Sequence, residues 1–333
     1  MQIPVTIEKK LFTIQTIKNF HGETVPFEVE TYQKDFESSE KAGFFDLSAW
    51  GVVEIVGSDA ANFLQRMSTI NIKNLNAGSS CSGAFLTGRG TVVAMGTLIS
   101  LDSEKFLFVV SPLQTEKILN HLEMFHFQEK LEIKDKTSEI AVLGLWKSKV
   151  ESSIATWTEP RESRLSYALM ERSGFGETCL RLREKKITFL GMHLFHYFRV
   201  QMGLPWMGWE LGETDLILEA GLEDFVARNK GCYPGQEVVE RIFTYGQVNR
   251  KLLKVNLEGI KLPEEQSEAL EIKDELGTSA GVLMSILQEP EQLNRGIGLA
   301  YIRKNFWGKD ENFFTDSGLK VNWTPIKDKA KND

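Results

Sequence analysis

The sequence has few cysteines and no apolar run long enough to cross a membrane. Its three cysteines, Cys81, Cys179 and Cys232, are widely spaced and form no Cys-x-x-Cys pair. This pattern argues against both a disulfide framework and a thiolate metal site. The first residues lack the apolar core of a signal peptide. We therefore expect a cytoplasmic protein in a reducing compartment, with no bound metal ion and no membrane association.

The sequence has fewer basic than acidic residues: 39 lysines and arginines and 46 aspartates and glutamates give a net charge of −7. Direct binding to nucleic acid needs a basic face, so we expect none. Glycine-rich loops of the dinucleotide and Walker types are also missing. The 333 residues, of which 42% are hydrophobic, are enough for two or three packed domains, and we expect a monomer.

Strands and helices alternate in the first part of the chain. The β-branched run at 52–56 predicts a strand, and Ser58 or Asp59 can cap a helix that ends near Met67. Turn-punctuated segments between 83 and 110 indicate antiparallel strands, followed by a helix and a short strand. This β–α–β–β–α–β order over 44–135 predicts a ferredoxin-like split βαβ unit.

The remaining segments predict a second α+β unit and a C-terminal barrel. For the second unit we expect strands at 140–145, 166–170 and 178–182, and helices at 148–154 and 190–201. After residue 250 the apolar residues Leu253, Val255 and Leu257 alternate with polar ones, as in a half-buried strand. Further short strands separated by polar turns indicate a small antiparallel barrel.

The stretch from Arg228 to Arg250, RNKGCYPGQEVVERIFTYGQVNR, carries the strongest chemical signal. We predict a turn at 229–233 and a helix from Pro234 to Phe243, because proline is favourable at the first helical position. Cys232 would then precede a helix N-terminus, close to Lys230 and Arg228, and these features favour the thiolate over the thiol. The alternative is a small buried cysteine at a Gly/Pro turn.

This stretch resembles the signature of YgfZ-type folate-binding proteins, which are relatives of the glycine-cleavage T-protein, an aminomethyltransferase. The shared string is Lys-Gly-Cys-Tyr-x-Gly-Gln-Glu, then Val-Val-x-Arg and Gly-x-Val-Asn-Arg-Lys-Leu; DLSAWGVVEIVGSDAANFLQRMSTINIKNL is similar to the T-protein opening. The resemblance covers 43–325. It implies an α+β, T-protein-like fold with three domains around a central folate pocket: two ferredoxin-like units and a small β-barrel. The predicted domains are 1–135, 136–250 and 251–326, with a disordered tail at 327–333.

A second resemblance lies in RVQMGLPWMGWEL, residues 199–211, which is similar to the family motif whose glutamate faces the pterin ring. It implies that Glu210 accepts hydrogen bonds from the pterin and that an exposed pair, Trp206 and Trp209, provides stacking surface. The alternative is a tight loop folded onto the core with Glu210 as a solvated rim charge. The glutamyl carboxylates of the folate would bind to Arg228, Lys230 or Arg241.

One position departs from the T-protein pattern. T-proteins carry a catalytic aspartate in the hairpin segment that reads LTGRGTVVAMGTLI here, where Ala94 and Met95 stand instead. This departure argues against glycine cleavage. The resemblance implies a protein that binds tetrahydrofolate, or a one-carbon derivative of it, and supports iron–sulfur cluster assembly or repair in client enzymes, including tRNA-modifying radical enzymes.

Cys232 would be the reactive residue, and the sequence leaves open whether it catalyses a reaction. Two alternatives stand beside this hypothesis. The first is a folate-dependent one-carbon transferase or demethylase, similar to the aminomethyltransferases. The second is a non-catalytic adaptor that keeps the pocket shape and binds no folate.

Overall fold

The computed structural model describes residues 16–20, 23–28, 31–246, 248–259, 269–309 and 311–324. The sequence also predicts an edge strand within residues 1–14; this segment and the predicted tail at 327–333 lie outside the described ranges. The chain divides into two units: unit 1 holds residues 1–195 and 224–236, and unit 2 holds residues 196–223 and 237–333. The three predicted domains, with boundaries after residues 135 and 250, stay a prediction.

Unit 1 begins with the hairpin of β1 and β2, the short helix α1 and the strand β3. Thr31 caps α1 by accepting a hydrogen bond from the Lys34 amide. One antiparallel sheet follows, with the strand order β5-β6-β7-β4-β8. Three of its strands lie between helices α2 and α3, so the sheet has one strand more than a ferredoxin-like β–α–β–β–α–β unit. The elements are β1 (Thr16–Phe20), β2 (Glu23–Glu28), α1 (Tyr32–Ser38), β3 (Gly43–Asp46), β4 (Gly51–Val56), α2 (Ala60–Met67), β5 (Ser80–Leu86), β6 (Val92–Ser100), β7 (Lys105–Val110), α3 (Thr115–Met124) and β8 (Glu132–Asp135).

A second sheet of unit 1 has its own core, packed against helix α4. Its strand order is β10-β11-β9-β3-β12, and β12 is parallel to β3 while the other neighbours are antiparallel. The apolar side chains of α4, Phe175, Cys179 and Leu182, are buried in this core. The elements are β9 (Ile140–Trp146), β10 (Ala155–Glu159), β11 (Glu162–Glu171), α4 (Arg172–Glu184) and β12 (Thr188–Phe189). Helix α5 (Met192–Gln201) follows, and its residues from 196 onward belong to unit 2.

Two predictions in this region are wrong. Residues 178–182 are helical, because Phe175, Cys179 and Leu182 recur at helical spacing and bury one face of α4. Residues 148–154 form no helix, and the strand β10 that follows them was not predicted.

The predicted barrel is confirmed in unit 2, where six strands close in the order β13-β16-β15-β14-β17-β18. Closure leaves no free strand edge. On β13, the buried side chains of Val255 and Leu257 alternate with exposed ones, as the sequence pattern predicts. The elements are α6 (Gln236–Tyr245), β13 (Arg250–Glu258), β14 (Leu270–Asp274), β15 (Ser279–Glu289), β16 (Gln292–Arg303), β17 (Phe313–Thr315) and β18 (Lys320–Trp323). Within the described ranges, no helix has the length and apolar character of a membrane span.

Candidate functional site

The segment 225–236, here named the cysteine loop, is held to residues 68–70, which follow α2, and to the turn between β5 and β6 in unit 1. The Thr69 hydroxyl donates a hydrogen bond to the Phe225 carbonyl (2.6 Å), and the Ala227 amide donates to the Thr69 carbonyl (2.9 Å). Gly235 has a φ of +79°, and a Cβ atom there would lie 2.6 Å from the Thr87 carbonyl oxygen. The hairpin turn after β5 therefore leaves room for glycine alone at this position.

Lys230 anchors the same loop through its side chain. Its Nζ donates to the carbonyl oxygens of Ser68 (2.5 Å) and Ile70 (2.7 Å) and lies 5.1 Å from the centre of the Tyr233 ring. Burial lowers the pKa of Lys230 from 10.5 to about 8, because an apolar environment disfavours the charged form. An ammonium group has three N–H donors, and two of them are used in these hydrogen bonds. The contact of Lys230 with a folate carboxylate stays a prediction, and it would use the third N–H donor.

Cys232 lies exposed in the cysteine loop, and Arg228 is exposed as well. The predicted helix start at Pro234 is wrong: α6 begins at Gln236, because Gly235 with its positive φ interrupts the helical path. Cys232 therefore stands well before the first helical turn, where the helix dipole has little effect. The alternative of a small buried cysteine is also wrong, since this side chain is open to solvent.

The other two cysteines differ from each other in exposure. Cys179 is buried in α4, and burial raises the pKa of its thiol far above the usual range. Cys81 is exposed on β5, although partial desolvation still raises the pKa of its thiol. Of the three thiols, Cys179 is thus the one closed to reagents in the folded chain.

In unit 2, Glu210 forms a buried, two-pronged ion pair with Arg199. The guanidinium donates to both carboxylate oxygens at 2.9 Å, and the Trp206 amide donates to Oε2 at 2.8 Å. Glu210 is 0% exposed, so the alternative of a solvated rim charge is wrong. A carboxylate can accept about four hydrogen bonds, and three are already made here: two at Oε2 and one at Oε1. The hydrogen bond from a pterin to Glu210 stays a prediction, and it would use the remaining acceptor position on Oε1.

The two tryptophans of this loop stack around the Arg199 guanidinium. Its central carbon lies 5.6 Å from the centre of the Trp206 ring and 4.8 Å from that of Trp209. Trp206 is buried, so the predicted exposed pair is wrong for this residue. Trp209 is half-buried and donates its Nε1–H to the Met284 carbonyl at 2.9 Å. The His196 Nδ1 accepts from Arg199 at 2.8 Å, which fixes the guanidinium from a third side.

The predicted site residues fall into two groups. Unit 1 brings together Arg228, Lys230 and Cys232 in the cysteine loop. Unit 2 holds Trp206, Trp209 and Glu210 in one loop, and Arg241 exposed on α6. The residues that the structure describes contain no group of three His, Cys, Asp or Glu side chains that could hold a metal ion.

Sequence reasoning missed Arg199 and a cluster around Arg250. The Arg250 guanidinium donates to Asp215 (2.6 Å) and Glu219 (3.1 Å) and lies 4.4 Å from the centre of the Tyr301 ring. The signal for Arg199 was its position in the 199–211 motif, eleven residues before Glu210. No local spacing signals the Arg250 cluster, because its members come from distant segments.

Comparison with known proteins gives matches along most of the chain. Residues 30–182 match the family model described as the GCVT N-terminal domain. An aminomethyltransferase from Rubrobacter xylanophilus is 28% identical over 337 residues, covering 92% of this chain and 89% of that protein. A chloroplastic protein of Arabidopsis thaliana with a provisional transferase name is 25% identical over 308 residues, covering 83% and 69% of the two chains.

A solved structure shows the same fold. The crystal structure of glycine cleavage system aminomethyltransferase T from Bartonella henselae aligns with a TM-score of 0.78 at 16% identity, covering 94% of each chain. The predicted T-protein-like, mixed α+β fold with its C-terminal barrel is therefore confirmed. Residues 30–182 thus match the GCVT N-terminal domain, the listed relatives include aminomethyltransferases, and the chain has the fold of aminomethyltransferase T.

Proposed function

We propose that this chain is a YgfZ-type protein that binds tetrahydrofolate, or a one-carbon derivative of it, and supports the assembly or repair of iron–sulfur clusters. Its clients would include radical enzymes that modify tRNA, and its partners would be the clients or the assembly proteins. The observation that carries the proposal is the exposed Cys232 in a loop that is otherwise fixed within unit 1 by the contacts of Thr69, Lys230 and Gly235.

Exposed cationic and aromatic groups support folate as the ligand. Arg228 and Arg241 are exposed, and a guanidinium can bind a carboxylate through two parallel hydrogen bonds. Trp209 presents a half-buried ring that could stack on a pterin. Glu210 and Trp206 already contact Arg199 and hold this loop in shape, so their first role is to position Trp209. Bound tetrahydrofolate would supply a carrier for one-carbon groups.

The segment around Ala94 supports a role other than glycine cleavage. Ala94 is fully buried in β6, and the neighbouring Met95 is also buried. Neither side chain can accept or donate a proton, whereas the T-protein pattern has an acid in this segment. The chemistry of this chain is therefore proposed to depend on the thiol of Cys232, which is a better nucleophile than an alcohol at neutral pH.

The aminomethyltransferase-like alternative has its own support. The relatives of this chain include proteins named aminomethyltransferase, and the matched family domain carries the same name as the glycine-cleavage protein. Turnover of a methylamine donor with tetrahydrofolate by the purified protein would favour this alternative. Absence of turnover together with folate binding would favour the cluster-assembly function.

Calorimetric titration of the full chain with tetrahydrofolate tests the folate part. Arg228→Gln and Arg241→Gln should each weaken binding about tenfold, because each removes one charge-assisted contact. Arg181→Gln is the matched control, since Arg181 is an exposed arginine on α4 that pairs with Glu177. Absence of binding at millimolar tetrahydrofolate would favour the non-catalytic adaptor.

The cluster-assembly part needs a cellular readout. Cys232→Ser should retain the fold and the folate affinity, since the exchange changes little volume, and should abolish the support of iron–sulfur enzymes in cells that lack the wild-type protein. Cys81→Ser is the matched control, because Cys81 is also exposed. Full activity of the Cys232→Ser variant would remove the thiol from the proposed function.

A further inference from the structure

An open cleft of about 510 Å³ lies in unit 2 at the end of the β13–β16 strand pair. It is lined by Glu219, Asn249, Arg250, Arg303, Lys304 and Asn305. Three of these side chains are cationic, two are amides and one is acidic. The lining of the cleft is thus positively charged, although the net charge of the whole chain is −7.

Two of the three cations stand in an unfavourable arrangement. Arg250 and Arg303 are direct cross-strand partners in the antiparallel pairing of β13 with β16. Like charges that face each other in this way destabilise a sheet. Lys304 follows Arg303 immediately, so a third positive charge is added at the same strand end.

Only one of these cations has its charge balanced within the described part of the chain. Arg250 binds Asp215 and Glu219 and lies over the Tyr301 ring, so the acidic residue of the cleft is already engaged. For Arg303 and Lys304, by contrast, the described residues provide no carboxylate within 4.0 Å of the side-chain nitrogens. Both side chains are exposed at the cleft.

We propose that this cleft binds a compact dianion, either the phosphate of a small phosphate monoester or a dicarboxylate. The Arg303 guanidinium offers a planar fork of donors, Lys304 offers a point charge, and the amides of Asn249 and Asn305 can complete the hydrogen bonding. The positive charges of Arg303 and Lys304, which have no carboxylate partner among the described residues, match the two negative charges of a dianion. Bound dianion would also relieve the repulsion between Arg250 and Arg303.

The test is calorimetric and thermal titration of the full chain with methyl phosphate and with succinate, at constant ionic strength, with acetate as the monoanion. The double variant Arg303→Gln/Lys304→Gln should lose at least about tenfold in affinity, since charge-assisted contacts are removed. The control variant Arg295→Gln/Lys309→Gln removes the same charge from exposed residues outside the cleft and should bind as the wild type does.

The two ligands distinguish the sources of the dianion, because preference for methyl phosphate indicates a phosphate monoester and preference for succinate indicates a dicarboxylate. Without ligand, the double variant should melt no lower than the wild type, because a like-charged pair has been removed. Three results would overturn the proposal: no binding of either dianion at millimolar concentration, equal binding by the double variant, or acetate binding of equal strength. None of these measurements involves folate, so the proposal is independent of the folate function.

Discussion

The Arg199 guanidinium and the Glu210 carboxylate meet in a two-pronged ion pair whose side chains are 3% and 0% exposed. Removal of one partner from such a pair leaves a buried charge without compensation, which costs about 3–5 kcal/mol. The pair holds the start of the 199–211 segment to its end, with Gly203, Leu204 and Pro205 turning between them. Glu210 is therefore a structural residue of this loop, whatever further contact it makes with a ligand.

Glu210→Gln should lower the free energy of unfolding by about 3 kcal/mol, because Arg199 keeps its charge and loses its counter-charge. Urea unfolding at neutral pH measures this change. Glu311→Gln is the control, since Glu311 pairs with Lys309 at the surface, where such pairs contribute at most about 1 kcal/mol. A loss below 1 kcal/mol in the Glu210 variant would contradict the structural role. Folate affinity of the variant must be measured under conditions in which it is folded, and unchanged affinity would exclude Glu210 from the folate site.

Gly235→Ala should destabilise unit 1 by at least about 2 kcal/mol, because φ is +79° and the new Cβ would lie 2.6 Å from the Thr87 carbonyl oxygen. Gly231→Ala is a control in the same loop, where a Cβ meets nothing within 4 Å. It should change stability by less than about 0.5 kcal/mol. Thermal unfolding and limited proteolysis of the cysteine loop measure both. Equal stability of the two variants would show that the loop is not packed on the hairpin.

The lowered pKa of Lys230 predicts that the stability of the protein changes with pH in the alkaline range. Its pKa is about 8 in the folded chain and 10.5 as the ordinary value. Between these pH values the unfolded chain binds more protons, so the free energy of unfolding should rise with pH across this window. Urea titrations from pH 7.5 to 10.5 should show the rise for the wild type relative to Lys230→Met. Lys230→Gln, which retains donors without titrating, should behave as Lys230→Met does; a rise in either variant would assign the effect to another group.

The three cysteines should react with iodoacetamide at different rates in the folded chain. Cys179 should not be labelled, because it is buried and its thiol pKa is raised. Cys81 should react more slowly than Cys232, because partial desolvation raises the pKa of the Cys81 thiol. Mass spectrometry after timed labelling at pH 7.5 gives the rates, and labelling in urea gives the unfolded reference. Rapid labelling of Cys179 would contradict the packing of α4.

Part of the fold could be predicted from periodicity alone. The alternation on β13 and the turn-punctuated segments after it predicted the barrel, because a strand with one buried face repeats every two residues. The error at 178–182 arose from Gly174 and Gly176, which resemble a hairpin turn. Within α4 these glycines face open space, so they cost helix stability without breaking the helix.

The candidate site was harder to predict, because its contacts join distant parts of the chain. The motif at 228–250 identified Cys232 and Arg228 as candidate site residues, and no pattern within the motif could show that Lys230 binds main-chain carbonyls elsewhere. The burial of Glu210 was missed for a related reason. The sequence contains Arg199 and Glu210, but their pairing depends on the turn between them, which brings two side chains eleven positions apart into contact.

The attachment of Lys230 to Ser68 and Ile70 joins positions 162 and 160 apart in the chain. At about 5–20 residues per second, the two carbonyls are synthesised roughly 8–32 seconds before the lysine that binds them. The cysteine loop is also the last part of unit 1 to be synthesised, since this unit ends at residue 236. These two hydrogen bonds therefore cannot form until the chain has been synthesised as far as the cysteine loop, and a chain that stops before residue 230 lacks both of them.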